Sequence, residues 1–231
     1  MKNNNDIEKI KKFIKSISTT SNPQNSLGNY PNAVLVCIDA VLSINRKYYK
    51  FVVPRITYFQ DNYSNITTLK ELLNLIKEKG IEGFSECWNY KHDARVEILY
   101  SLVNRLIEIK DKYNANTEIE SLRIWAKESL PNDYKNFNVN GIGLATYQYI
   151  RMMLGASTIK PDVHIKRTIS NILNRNVSDI ESINLFEQAC KKLKVDTATI
   201  DHNLWLLLAN NVSDLSIEWK DNKWISKEEE K

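Results

Sequence analysis

Only six glycines and five prolines punctuate the 231 residues. A β-sandwich or barrel of this length must turn many times, and Gly and Pro build the tight turns. So few breakers, beside abundant Leu, Ile, Lys, Glu and Asn, predict an all-α chain with short connections. The hydrophobic fraction of 42% excludes disorder as a whole-chain state. The length suits one large domain or two small lobes.

Apolar spacing places the helices. Ile7, Ile10, Phe13, Ile14 and Ile17 recur at helical intervals behind Asp6, a candidate N-cap. Residues Ser18 to Pro31 read as a loop rich in Ser, Thr, Asn and Pro. Ala33 to Ser43 is apolar nearly all round, the pattern of a central buried helix. A basic and aromatic stretch follows from Asn45 to Arg55. Thr68 and Glu71 form a capping-box pattern for a helix expected to stop at Gly80. Later helices are expected over His92–Tyr113, around Ile119–Ala126, over Leu144–Leu154, from Asp162, over Ser182–Leu193 and over Asp196–Asn210. The tail from Glu228 to Lys231 is expected to fray.

Several function classes drop out early. Cys37, Cys87 and Cys190 are isolated and odd in number, so neither a disulfide framework nor a zinc or iron–sulfur site is expected. No cofactor and no metal is expected. No apolar run reaches the length of about 18 residues that a membrane span needs, and no signal sequence is visible, so a cytoplasmic protein is expected. The net charge of +4 permits an anionic partner without demanding one.

The informative window runs from Val139 to Arg167. Gly141 and Gly143 flank Ile142, and a helix begins at Leu144. Two glycines allow close backbone approach, and the helix start offers free N–H groups to a phosphate. An ordinary interhelical turn has the same composition. Gly155 and Pro161 then mark a loop, and Asp162 opens a helix, where an Asp also serves as a simple cap.

As a whole the window resembles the helix-hairpin-helix DNA glycosylase superfamily, the group of endonuclease III and the adenine-mispair and alkylpurine glycosylases. Val139-Asn140-Gly141-Ile142-Gly143 matches the hairpin. Gly155 and Pro161 match the Gly/Pro loop, and Asp162-Val163-His164-Ile165-Lys166-Arg167 matches the motif of the catalytic aspartate. The resemblance implies two helical lobes around a DNA-binding cleft, one from about residues 1–50 with 156–231 and the other from about 51–155. It implies a monomer acting on double-stranded DNA that carries a damaged or modified base, in base excision repair at the nucleoid. It also covers the end of the buried helix, where Asn45 and Arg46 match the loop that probes the duplex.

The resemblance assigns chemistry as well. Cleaving an N-glycosidic bond develops positive charge on the sugar, and a carboxylate, here Asp162, stabilises that charge and orients the attacking water. The target base must first leave the stack. Bifunctional members carry a Schiff-base lysine just after the hairpin; Ala145 stands there, so strand cleavage by that route is not expected. Asp39 matches the position of a base-protonating Glu, with a salt-bridged helix Asp as the plain alternative. Lys160 and Lys166 read as solvated lysines facing phosphate. His164 reads as a buttress of the loop, and Asp201 with His202 as a satisfied core pair. Trp88, Tyr147 and Tyr149 are candidates for stacking on a base, though aromatics at helical spacing more often fill a core. A non-catalytic DNA-binding relative and an abasic-site lyase remain the alternatives.

Overall fold

The computed structural model describes residues 2–18, 30–208, 217–220 and 223–226. The fold is all-α, with one short antiparallel hairpin near the C-terminus. The central element is α2 (Ala33–Leu42), every residue of which is buried. Asn32 caps its start by accepting from the Leu35 N–H at 3.1 Å. Around α2 pack α3 (Val53–Asn62), α4 (Leu69–Cys87), α5 (Asp93–Lys110), α6 (Glu118–Glu128) and α8 (Leu144–Met153).

The buried stripe of α5 is Val96, Leu99, Leu102, Val103 and Leu106, as its periodicity predicts. Thr68 accepts from Glu71 N–H at 3.2 Å while the Glu71 carboxylate accepts from Thr68 N–H at 2.9 Å, a complete capping box. The first helical run of α4 ends at Gly80, as expected, and a second run follows it. The chain kinks there at φ 70°, a left-handed conformation open to glycine, and resumes as helix to Cys87. The continuation delivers Phe84, Cys87 and Trp88 to the core.

A second apolar cluster is separate from the first. It joins α1 (Lys2–Ser18), through Ile7, Ile10, Ile14 and Ile17, to α9 (Val163–Leu173), α10 (Asp179–Leu193) and α11 (Thr197–Leu208). Asp6 lies inside α1 rather than at its start. Its carboxylate pairs with Arg175 at 2.8 Å, and Arg175 also holds Glu181 at 2.7 Å, which fixes α1 to α10.

The first cluster spans Tyr30 to Ala156. Residues 30–50 therefore belong by packing with the central helices and not with α1 and the C-terminal helices, as the sequence grouping has them. The reason is that α2 has no polar face to leave exposed and is enclosed on all sides. The two clusters meet along a polar seam. Gln148 donates to Thr158 Oγ1 at 2.6 Å, Thr158 donates to Glu187, and Arg151 donates to Gln148 Oε1 at 2.6 Å and to the Ser129 carbonyl.

Two features were not foreseen from the sequence. The basic stretch after Asn45 forms a π-helical turn over Tyr48–Val52 that runs into α3. Strands β1 (Ile217–Lys220) and β2 (Lys223–Ser226) pair antiparallel, with Trp219 opposite Trp224, and β2 runs beside α3. Most of the loop expected over 18–31 lies outside the described residues, as do the last residues of the helix expected over 196–210 and the tail from 228.

Candidate active-site cleft

Between the two clusters lies a small cleft of about 90 Å³, open to solvent at its mouth. The first cluster contributes Ser43, Tyr48, Tyr49, Tyr149 and Met152; the other side contributes Lys160, Asp201, His202 and Trp205, and Arg46 stands at the rim. The walls are aromatic. Trp205 lies 6.1 Å from Tyr48 and 5.9 Å from Tyr49 between ring centroids, and His202 stacks on its other side at 6.1 Å. Burial holds His202 down at about 4, so this ring is neutral at physiological pH and contributes a flat surface.

Asp39 stands behind that wall. It is completely buried, and its two oxygens accept four hydroxyl groups: Ser43 at 2.6 Å and Tyr149 at 3.1 Å on Oδ1, Tyr30 at 2.6 Å and Tyr48 at 2.7 Å on Oδ2. Burial pushes the carboxyl above the usual carboxylate range, and the hydroxyl donors pull part of the way back. No Arg or Lys forms an ion pair with it among the described residues, so the salt-bridged reading of Asp39 does not hold. Ser43, Tyr48 and Tyr149 line the cleft and Asp39 does not. Its direct product is the fixed orientation of those hydroxyls.

The opposite wall carries the charge chemistry. Asp162 caps α9, its Oδ1 accepting from His164 N–H at 2.9 Å and Ile165 N–H at 3.0 Å. It sits beside the cleft lining, close enough for its charge to act on both Lys160 and Asp201. Asp201 is buried and accepts from the Lys160 backbone N–H at 3.2 Å. Burial first, and then the Asp162 charge, push its carboxyl well above the usual range. Lys160 is drawn inward, its Nζ 4.2 Å from the centre of the Tyr149 ring. Burial lowers its ammonium pKa against the pull of Asp162, Asp39 and Asp201.

The glycine turn lies at the other end of α8. Ile142 N–H donates to the Val139 carbonyl at 3.1 Å, closing a tight turn with both apolar side chains buried. Gly141 has φ +83°, and a Cβ there would meet Ile98 at 2.5 Å. Gly143 is different: its backbone is extended, it is exposed, and a Cβ would meet nothing within 4 Å. Asn140 is exposed at the tip. The turn follows the one-turn helix α7 (Tyr134–Phe137) and feeds directly into α8.

At the end of α2, Asn45 adopts φ +52° and is exposed with Arg46. Arg95 of α5 is buried, and its guanidinium donates to the carbonyls of Val41, Leu42 and Ile44 at the end of the helix.

A family model matches residues 8–208, from α1 to the end of α11, and its description is a domain of unknown function, DUF8548. The chain belongs to DUF8548. Neither the curated proteins nor the solved structures contain a match.

In this DUF8548 chain, some residues singled out by sequence come together and others part. Asp39 and Asp162 flank one cleft from opposite sides, while the 139–143 turn lies a helix away. Asp201 and His202 are not a self-satisfied core pair: Asp201 is tied to Lys160 and His202 to Trp205, and all four face the cleft. Lys160 is not a solvated lysine. Lys166 is engaged instead with Asp179 at 2.6 Å. Trp88 and Tyr147 are core residues, whereas Tyr149 reaches the cleft. Asp201 and Trp205 were missed as site residues because they lie on a helix whose apolar neighbours read simply as core, and Tyr48 because it lies in a basic, aromatic stretch with no motif. Among the described residues no three His, Cys, Asp or Glu side chains gather as metal ligands would, and no helix is long and apolar enough to cross a membrane.

Proposed function

We propose that this chain is a DNA glycosylase that hydrolyses the N-glycosidic bond of a damaged or modified base turned out of double-stranded DNA. The observation that carries the reading is the meeting of Asp201 and Lys160 in an aromatic cleft, with the Asp162 charge acting on both from beside the lining, one helix downstream of a glycine turn. The aromatic walls offer a flat base the stacking that it loses on leaving the duplex. Asp162 stabilises the oxocarbenium-like sugar and orients the water that attacks C1′. Asp201, whose carboxyl pKa is raised by burial and by the Asp162 charge, is the group placed to donate a proton to the departing base. That acid role falls to Asp201 rather than Asp39 because Asp201 faces the cleft. The experiment is release of free bases from a panel of lesion-bearing duplexes, read by mass spectrometry; no release from any member rejects the proposal.

The glycine turn supplies phosphate contacts that carry no base information. Gly143→Leu fits the fold, since the space beside Gly143 is open. It is expected to weaken binding to every duplex alike, by about tenfold for one lost charge-assisted hydrogen bond. Unchanged affinity for nonspecific duplex by gel shift would make the segment a turn and nothing more.

One observation favours a second reading, an abasic-site lyase. Ala145 occupies the expected lysine position, yet Lys160 is in the cleft with a lowered pKa, as a Schiff-base amine needs. Borohydride treatment with abasic DNA separates the two. A covalent adduct lost in Lys160→Met supports the lyase; a wild type that releases base and forms no adduct is a monofunctional hydrolase.

A further inference from the structure

Arg46, Arg55 and Arg95 gather around one pair of rings. The Arg46 guanidinium lies 5.2 Å from the centre of Phe51 and 5.9 Å from that of Tyr90. Arg55 lies 3.7 Å over Phe51 and 5.2 Å from Tyr90, and Arg95 lies 5.9 Å from Tyr90. The two rings meet edge to face at 4.8 Å and form the platform. None of the three arginines forms an ion pair with a carboxylate among the described residues. Instead the Arg46 charge bears on both of the others as a like charge. Stacking on aromatic faces offsets part of that repulsion. The rest is an electrostatic deficit that an anion would fill.

The donors are also in place. Arg95 is committed to the end of α2. Arg46 spends one N–H on the Tyr90 hydroxyl at 2.8 Å and one on its neighbour's carbonyl at 3.3 Å. Arg55 spends one on the Phe51 carbonyl at 2.9 Å, and its Nε is buried without a partner. The remaining N–H groups form forks that suit phosphate oxygens. Lys47, Lys50 and Lys91, close to them in the chain, are exposed, with Glu82 and Glu86 on the far side of Tyr90.

We propose that Arg46 and Arg55, stacked on Phe51 and Tyr90, form a phosphate-binding site for a DNA strand passing the rim of the cleft. Arg46 belongs to both places, lining the cleft and facing the platform, so the phosphate held here is near the nucleotide that enters. The exposed, extended run of cations suits a polyanion better than a small phosphate ester. The inference rests on the DNA-binding part of the function proposed above and is independent of its bond-breaking step.

The test is the affinity of the full chain for an undamaged duplex, measured by fluorescence anisotropy over a series of salt concentrations. Arg55→Met is expected to reduce the slope of log K against log salt by about 0.9, the signature of one phosphate contact. Arg46→Gln, at an exposed position, should do the same, and Arg55→Lys should restore most of the slope. An unchanged slope in both Arg55→Met and Arg46→Gln overturns the site. Inorganic phosphate is the second probe. If it raises the wild-type melting temperature through Arg55 while no duplex binds, the strand is overturned as the occupant. A slope that falls in a protein releasing no base from any lesion keeps this site and removes the glycosylase; base release with unchanged slopes does the reverse.

Discussion

Asp162→Asn is expected to lower base release by on the order of 100-fold or more while duplex binding holds or tightens. Asn keeps the shape of Asp and the side-chain oxygen that caps α9, so His164 N–H and Ile165 N–H stay satisfied. What vanishes is the negative charge next to Lys160 and Asp201. An oxocarbenium-like sugar would then face a neutral amide, and the attacking water would lose its base. Removing a carboxylate near phosphates also removes a repulsion, which is why affinity should not fall. Single-turnover base release and duplex affinity, measured on the same preparation, decide it. Wild-type turnover in Asp162→Asn would reduce this residue to a cap and end the mechanism.

The second large effect concerns stability. Asp39→Ala is expected to destabilise the protein by about 3–5 kcal/mol, because it strips the acceptor from four hydroxyl groups in a fully buried place. Tyr30 and Tyr48 lie 3.5 Å apart between hydroxyl oxygens and recover a little by bonding to each other. Asp39→Asn, which keeps one carbonyl oxygen, should cost less than half as much. Chemical denaturation gives both numbers. If Asp39→Ala unfolds at the wild-type denaturant concentration yet releases no base, Asp39 is an acid of the reaction and not the anchor of the tyrosines.

How much of this was visible in the sequence depends on where each partner sits along the chain. The burial of α2 was legible because a segment apolar all round has nowhere else to go. The α9 cap at Asp162 and the turn at Gly141 were legible because caps and turns are local, settled within a few residues. Pro54 occupies the first turn of α3, where a missing N–H costs nothing. The strands were not legible, because two four-residue segments are too short to show a clear alternation of apolar and polar residues. The far wall of the cleft was not legible at all. Asp201 and Trp205 become site residues only when α11 folds back beside Tyr48 and Lys160, and no spacing within a helix reports a neighbour some 150 residues away.

The seam bears on what the nucleic acid has to do. Gln148, Thr158, Glu187 and Arg151 tie α8 to the loop before α9 and to α10 by buried hydrogen bonds. Spreading the two halves would exchange these bonds for bonds to water, at a net cost of about 1 kcal/mol each. On the glycosylase reading, a duplex docking on halves tied in this way meets a seam that resists opening, so the distortion that turns a base out falls on the DNA, as a kink of its axis. The energy of that kink depends on the base steps being deformed. Excision should therefore run faster at pyrimidine–purine steps, which unstack easily, than within stiff A-tracts, even though no side chain reads either sequence.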